Sequence, residues 1–327
     1  MAVAANTTVQ AQLRPELGAS LMEWDNEAAE RGMVASLLMR PKAVPVQNGY
    51  VGVVSLEEMM KDSVVTDRAS NGGYGRSDTK FTNFSFSTAE YGHEEVVSDR
   101  DARLYSMYLD AEIAAASRIR GILMRRLEKE ILDALGNTST FANAGAGAVW
   151  TAAGTDVLTD VRTNMLAVRD ACGMEPDTLV IGMKVFRALL QNTAIIERMK
   201  YWGGDDPKVG SMRANSGLLA RALGIDRVVV AGMMRNSAKE GQSASLASIW
   251  NETKAGFYVT AKTDDIKEPC IGRNFIWTQD GANPDGSVLF ESYREERERG
   301  NVIRGRHESG VKVFYAECGR ILTAVSA

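Results

Sequence analysis

The chain's densest chemistry lies in the stretch ESYREERERGNVIRGRHESG, Glu291 to Gly310. Arg294, Arg297, Arg299, Arg304 and Arg306 are matched there by Glu291, Glu295, Glu296, Glu298 and Glu308, so the segment is locally neutral. A phosphate-binding surface carries an uncompensated positive excess, whereas this one cancels itself. An acid/base cluster needs a nucleophile, a metal ligand or organised histidines beside it, and the segment holds a single histidine, His307. There remains a surface that meets an equally charged partner, where guanidinium forks facing carboxylates set register and specificity. Every cation in the segment apart from that histidine is arginine rather than lysine, a choice that suits an interface.

The rest of the catalytic inventory is thin. His93 and His307 have no His, Cys or Asp at metal-ligand spacing and read as surface or interface residues. No nucleophile elbow and no GxxxxGK[ST] loop occurs. The glycine-rich stretches ASNGGYGRSD and NAGAGAVW do not join a strand to a helix in the register of a phosphate cradle and read as flexible loops. The adjacent pairs Glu57–Glu58 and Glu94–Glu95 read as solvated faces. Cys172, Cys270 and Cys318 are odd in number and form no CxxC, which fits a reduced compartment, no structural zinc and buried small side chains. On this reading the chain has no catalytic residue, no cofactor site and no metal site. Arg118, Arg120, Arg125 and Arg126 give a long helix a basic face, either for solubility or toward nucleic acid. No aromatic residue interleaves them for base stacking.

With 327 residues and a net charge of -4, the chain is long enough for two or three domains and lacks the basic excess of a dedicated nucleic-acid binder. Its start has no secretory pattern and no apolar run approaches the roughly 20 residues of a membrane span, so a cytosolic origin is expected.

Several elements must position the charged run. A helix is expected over Ser20 to Met39, with Leu21, Trp24, Ala28 and Val34 to Leu38 as a broken apolar stripe. KAVPVQNGYVGVVS and TKFTNFSFSTAEYG read as two strands of a ribbon, joined by a Gly/Ser/Asp-rich connection. Such a ribbon is marginal alone in water, so it is expected to lie on another subunit. One helix is expected from Ser98, a capping-box start with Asp101, through Leu104, Tyr108, Ala115, Ile119, Leu127, Ile131 and Leu135, to a stop at Gly136–Asn137. At 1.5 Å per residue it would span roughly 55 Å, making the molecule elongated. Without sustained heptads it should lie along a sheet. After a small-residue linker around TSTFANAGAGAVW, a helix over Thr155 to Cys172 leads into alternating strands and helices, DTLVIG, MKVFRALLQN, Ile195 to Met199, Leu218 to Leu223, DRVVVA, LASIW and GFYVT. The end returns to strands in NFIWTQD, SVLFESYREE and GVKVFYAECGRILTAV.

In this order the parts resemble the major capsid proteins of tailed double-stranded DNA bacteriophages, the Hong Kong 97 type fold that encapsulin shells share. The stretches that carry the likeness are RASNGGYGRSDTKFTNFSFSTAEYGHEEVVSDRDA, PDTLVIGMKVFRALLQNTAIIERMKYWGG with LARALGIDRVVVAG, and the opening charged run continued to GVKVFYAECGRIL. The resemblance implies an α+β fold: an N-terminal arm over 1–40, an E-loop ribbon over 41–92, a peripheral domain over 93–175 with a spine helix at 98–136, an axial domain over 176–261, and closing peripheral strands over 262–327. It implies a non-enzymatic protein that assembles with itself, as hexamers and pentamers, into an icosahedral shell around double-stranded DNA held non-specifically. Such a protein belongs to the virion, is assembled in the host cytoplasm, has no membrane partner, and works with separate scaffolding, portal and decoration proteins where these exist. Inter-subunit contacts are then expected at Arg294, Glu295, Arg297, Glu298, Arg304 and Arg306, and at Arg68, Tyr74 and Arg76 in the E-loop. Charge reversal of Arg297 or Arg304 should impair assembly more than folding. Arg118, Arg120, Arg125 and Arg126 would face DNA, and Lys61 or Lys80 with Asn301 and Glu298 could be cast as a covalent cross-link. About 40 residues before the E-loop leave no room for a long scaffolding segment. An encapsulin-like compartment and a soluble α/β enzyme built on residues 176–261 are the alternatives.

Overall fold

The computed structural model describes residues 12–14, 16–17, 32–62, 66–68, 70–76, 78, 80–105, 110–152, 154–201, 212–239 and 241–326. The early strands are β1 (Gln12–Leu13), β2 (Pro41–Val44), β3 (Asn48–Val54), β4 (Phe81–Ser87), β5 (Ala89–Ser98), β6 (Ala142–Gly145) and β7 (Thr178–Gly182). The later ones are β8 (Arg227–Ala231), β9 (Met234–Asn236), β10 (Leu246–Ser248), β11 (Lys254–Tyr258), β12 (Gly272–Trp277), β13 (Leu289–Glu295), β14 (Gly300–Val313) and β15 (Gly319–Thr323). Two sheets dominate. The first runs β1-β13-β14-β12-β2, with β5 also on β14. The second runs β6-β15-β11-β7-β8. Its β7 and β8 pair in parallel, and every residue of β7 is buried, as suits a strand covered on both faces.

Three local features differ from the expected plan. The last strand, β15, pairs with β11, so the chain ends in the sheet of the 176–261 segment rather than with the other closing strands. The small-residue stretch Ala142–Gly145 is not a linker but β6, lying parallel to β15 at the sheet edge. The helix expected over 98–136 divides into Asp99–Tyr105 and a spine helix, Ala111–Leu135. Ser98 Oγ accepts the Asp101 N–H at 3.1 Å and starts the first helix as expected. Asp110, with φ -76° and ψ 107°, starts the second, its carboxylate taking the N–H groups of Glu112 and Ile113 at 3.0 and 3.3 Å. An extended residue whose side chain satisfies the orphan amides begins a new helix instead of continuing an old one. The spine is therefore about 37 Å long rather than 55. Replacing Asp110 by alanine is expected to cost about 1 kcal/mol, read as a lower urea midpoint at unchanged slope. Residues 20–31 of the expected arm helix, Tyr108 and the loop at 202–211 lie outside the described residues; Ala35–Leu38 of that helix is helical.

The spine lies along a sheet, as its lack of heptads suggests. Ala115, Ala116, Ile119 and Leu123 form a small core with Val97, Phe290 and Ile303 of the first sheet. Gly305 of β14 makes that approach close, since a Cβ there would stand 2.5 Å from Ile119 Cγ2. Leu104, expected on the buried stripe, is 62% exposed because it belongs to the separate first helix. The second half of the spine, with Leu127, Ile131, Leu132 and Leu135, enters the main core under the second sheet. There Tyr258 Oη donates to Leu135 O at 2.6 Å and Lys254 Nζ to Gly136 O at 2.7 Å, filling carbonyls at the helix end, where a cation is also favoured.

The ribbon of β3 and β4 has two unlike faces. Val51, Val53, Phe84 and Phe86 turn toward the subunit's own core, so this part of the ribbon is seated at home rather than on another subunit. Phe86 stacks on Phe275 of β12 at 4.5 Å between centroids, Phe84 meets Phe314 at 5.7 Å, and Tyr315 Oη donates to Val54 O at 2.7 Å. The alternate positions, Tyr50, Phe81, Asn83 and Ser85, point away and are exposed.

Candidate assembly surfaces

The charged run folds as β13, a turn and β14, with β5 on the far side of β14. Cross-strand register sets Glu291 opposite Arg304 and Arg304 opposite Glu94, a row of alternating charge across three strands. Arg304 pairs with Glu94, reaches Glu291 at 3.7 Å, and lies over the Tyr293 ring, whose hydroxyl also donates to Glu94 at 3.2 Å. Arg306 pairs with Glu291 at 3.0 Å and Asp280 at 2.7 Å. Arg294 forks onto both oxygens of Asp99 at 2.6 and 2.7 Å, and this holds the Asp99 carboxyl below its usual range. Three arginines expected at an inter-subunit contact thus have partners inside their own subunit. Glu291 and Glu296 of the run are among those partners, but Glu94, Asp99 and Asp280 lie outside it, so the run's internal balance describes only part of its pairing. The Glu94–Glu95 pair is likewise engaged rather than merely solvated, Glu95 meeting Arg118 at 3.0 Å.

The turn is different. Glu296, Arg297, Glu298 and Arg299 are exposed, while Glu295 is half-buried and accepts the Arg297 N–H at 3.3 Å. Beside the turn opens a hollow of about 710 Å³ lined by Ser98, Asp99, Arg100, Arg103, Leu104, Glu298 and Arg299. In the distal ribbon, Arg68 donates to Gly72 O at 2.8 Å and Tyr74 Oη at 3.0 Å, with its guanidinium 4.4 Å from the Tyr74 ring centroid. Arg68, Tyr74 and Arg76 are all exposed. Asn301 donates to Glu112 at 3.0 Å, and Lys61 meets Glu58 at 3.4 Å.

The four spine arginines do not form one face. At 100° per residue Arg118 and Arg125 share a side, while Arg126 is turned about 80° and Arg120 about 200° from Arg118. Arg126 covers the Tyr91 ring and pairs with Glu130 at 3.0 Å, and burial lowers the pKa of Arg120. His307, expected at the surface or an interface, is instead buried within the subunit in β14, and desolvation lowers its pKa to about 4, so it is neutral. His93 is exposed. The three cysteines are buried and free, and the Cys172 thiol donates to Met174 O at 3.3 Å. Among the described residues no group of three or more His, Cys, Asp or Glu could hold a metal, and no helix is long and apolar enough to cross a membrane.

Two packed sheets joined by one spine, with an apolar-faced ribbon and a charged turn at the surface, define a structural building block. A family model for phage capsid protein matches residues 83–320, and the chain belongs to that family. No curated protein sequence matches it. In fold it is similar to a phage-related protein from Bordetella bronchiseptica RB50, with a TM-score of 0.68 at 16% identity over 97% of this chain and 98% of that one. A virus-like particle protein from Pyrococcus furiosus matches with a TM-score of 0.55 at 11% identity, over 94% and 98% of the two chains. The capsid protein of cyanophage P-SCSP1u matches with a TM-score of 0.55 at 12% identity, over 88% and 87%. The fold is the Hong Kong 97 type and the chain is a major capsid protein.

Proposed function

We propose that the chain assembles, through the outer face of its ribbon and its β13–β14 turn, into the icosahedral shell that encloses the double-stranded DNA of a tailed phage. The observation that supports this most is the ribbon's two-sidedness. One face is anchored in the subunit's core, and the other holds Tyr50 and Phe81 at 80% and 71% exposure, with nothing covering it among the described residues. Exposed aromatics on a rigid support are typical interface anchors. DNA would be held without sequence preference, a task for which Arg118 and Arg125, on one side of the spine, are the candidates, Arg118 exchanging its contact with Glu95 for phosphate. The protein acts structurally rather than as an enzyme. Electron microscopy of particles carrying this chain tests the reading: closed shells containing DNA are expected. Particles filled with protein would point to an encapsulin-like compartment, and absence of any megadalton assembly would overturn both.

The turn gives a sharper test than the strand. Because Arg304 is paired inside the subunit, reversing it to glutamate sets it against Glu94 and Glu291 and damages the fold as well as any contact. Arg297→Glu, on the exposed turn, is the clean substitution. It is expected to change the urea midpoint by no more than about 0.5 kcal/mol equivalent while lowering particle yield several-fold. Wild-type yield would remove the turn from the assembly surface.

A further inference from the structure

Glu128 sits in the second half of the spine helix, fully buried, where a carboxylate would be expected to bring a cation with it. What meets it instead is backbone. The Val34 N–H donates to Oε1 at 2.9 Å and Oε2 at 3.0 Å, and the Ala35 N–H donates to Oε2 at 2.8 Å. These amides open the arm helix Ala35–Leu38, whose N-cap, Val34, has no side chain able to satisfy them. Glu128 is therefore a cap supplied from another helix. Val34, Ala35, Leu38 and Met39 add apolar contacts in the main core, and Gly32 O accepts the Gly232 N–H at 3.3 Å.

The two oxygens are not equivalent. Oε2 accepts both amides, while Oε1 shares only the Val34 bond. A proton on Oε1 therefore leaves both amides an acceptor. The charged groups lining the cavity of about 310 Å³ beside Glu128 are Arg120 from the same helix and Asp285 from the loop before β13. The arm contributes none between Gly32 and Met39, β12 contributes the neutral Asn274, and Arg40 turns outward to Asp264 at 2.9 Å. Among the described residues, the groups that donate to the carboxylate are the two amides.

We propose that seating of the arm segment 32–39 on the spine is coupled to protonation of Glu128, so that the arm is held most firmly in mild acid and loosens as the solution becomes alkaline. Burial raises the carboxyl pKa to about 7 in the seated state, against the downward pull of the Val34 and Ala35 N–H groups. When the arm lifts, water reaches Glu128 and the group returns toward its ordinary value of 4.5. The seated state thus binds a proton that the lifted state gives up. Its contribution is complete below about 4.5 and is lost as pH rises through about 7, a change of up to about 300-fold in the seated-to-lifted ratio. The coupling belongs to the folded chain and holds whether or not that chain builds the shell proposed above.

Hydrogen exchange of the purified full-length protein, expressed as protection over the intrinsic rate, tests it. Protection of the Val34 to Leu38 amides is expected to fall at least tenfold between about pH 5.5 and 8.5 while β14 stays unchanged. Glu128→Gln, shaped like the protonated acid, should hold the arm with a flat profile. A flat wild-type profile, or the wild-type slope retained in E128Q, would overturn the coupling. If E128Q does not fold, the wild-type profile at about 0.05 and 0.5 M salt decides. Superimposed curves support a buried carboxyl, and a profile flattened by salt assigns the effect to surface charges and overturns it.

Discussion

Aspartate at both Tyr50 and Phe81 is expected to give a folded subunit that builds no particles. The two side chains lie on the outward face of the ribbon, on strands whose inward face is fixed by Val51, Val53, Phe84 and Phe86, so the substitutions touch nothing that holds the fold. An aromatic side chain fully buried at a contact contributes roughly 2 kcal/mol, and the pair about 4 kcal/mol, close to a thousandfold in each contact's equilibrium. Shell growth repeats that contact at every subunit, and the added charge must also be desolvated. Particle yield by sedimentation and micrographs should fall to background, while circular dichroism and urea unfolding match the wild type. Shells at ordinary yield would show that the ribbon's outer face is not an assembly contact.

Phe275→Ala is expected to act in the opposite way, on the subunit first. Phe275 is fully buried in β12, stacked on Phe86 and 5.8 Å from Phe314, so it joins the first sheet to the root of the ribbon. Removing a ring from such a site costs about 3–5 kcal/mol, through lost burial and the cavity left behind. The urea midpoint should drop markedly, and hydrogen exchange should rise first in β3 and β4, whose inward face loses its support. A change below about 1 kcal/mol would mean that the three rings are not a unit. Comparing the two variants separates seating of the ribbon from its use as a contact.

The two ribbon strands and the strand β7 were readable in sequence from local pattern, and the spine's position along a sheet from its lack of heptads. The breaks were not. Asp110 starts a second helix through its backbone conformation and side chain, while the apolar spacing on either side continues as though one helix ran throughout. Ala142–Gly145 reads as a linker because small residues give no strand signal, and only β15, far along the chain, makes it one. The charged run shows the same limit. Counting its charges excluded a phosphate patch, yet beside Glu291 and Glu296 of the run itself Arg294, Arg304 and Arg306 take partners from Asp99, Glu94 of β5 and Asp280, which register and folding alone bring together. Glu128 gave no signal at all, since a glutamate on a helix is ordinary until a buried arm crosses it.

β14 has a mechanical meaning beyond its place in the sheet. Over Gly300 to Arg306 it is hydrogen-bonded on both edges, to β13 and β5, and its far end, Gly310 to Val313, is bonded to β12. Ladder bonds run across the strands, so a pull along β14 loads many of them together in shear, whereas a sideways pull would open them one at a time. The strand begins at the charged turn and ends beside the root of the ribbon, where Phe314 meets Phe84. It is thus a tie rod between the two outward-facing features, and tension entering the subunit at one leaves it at the other without passing through a hinge.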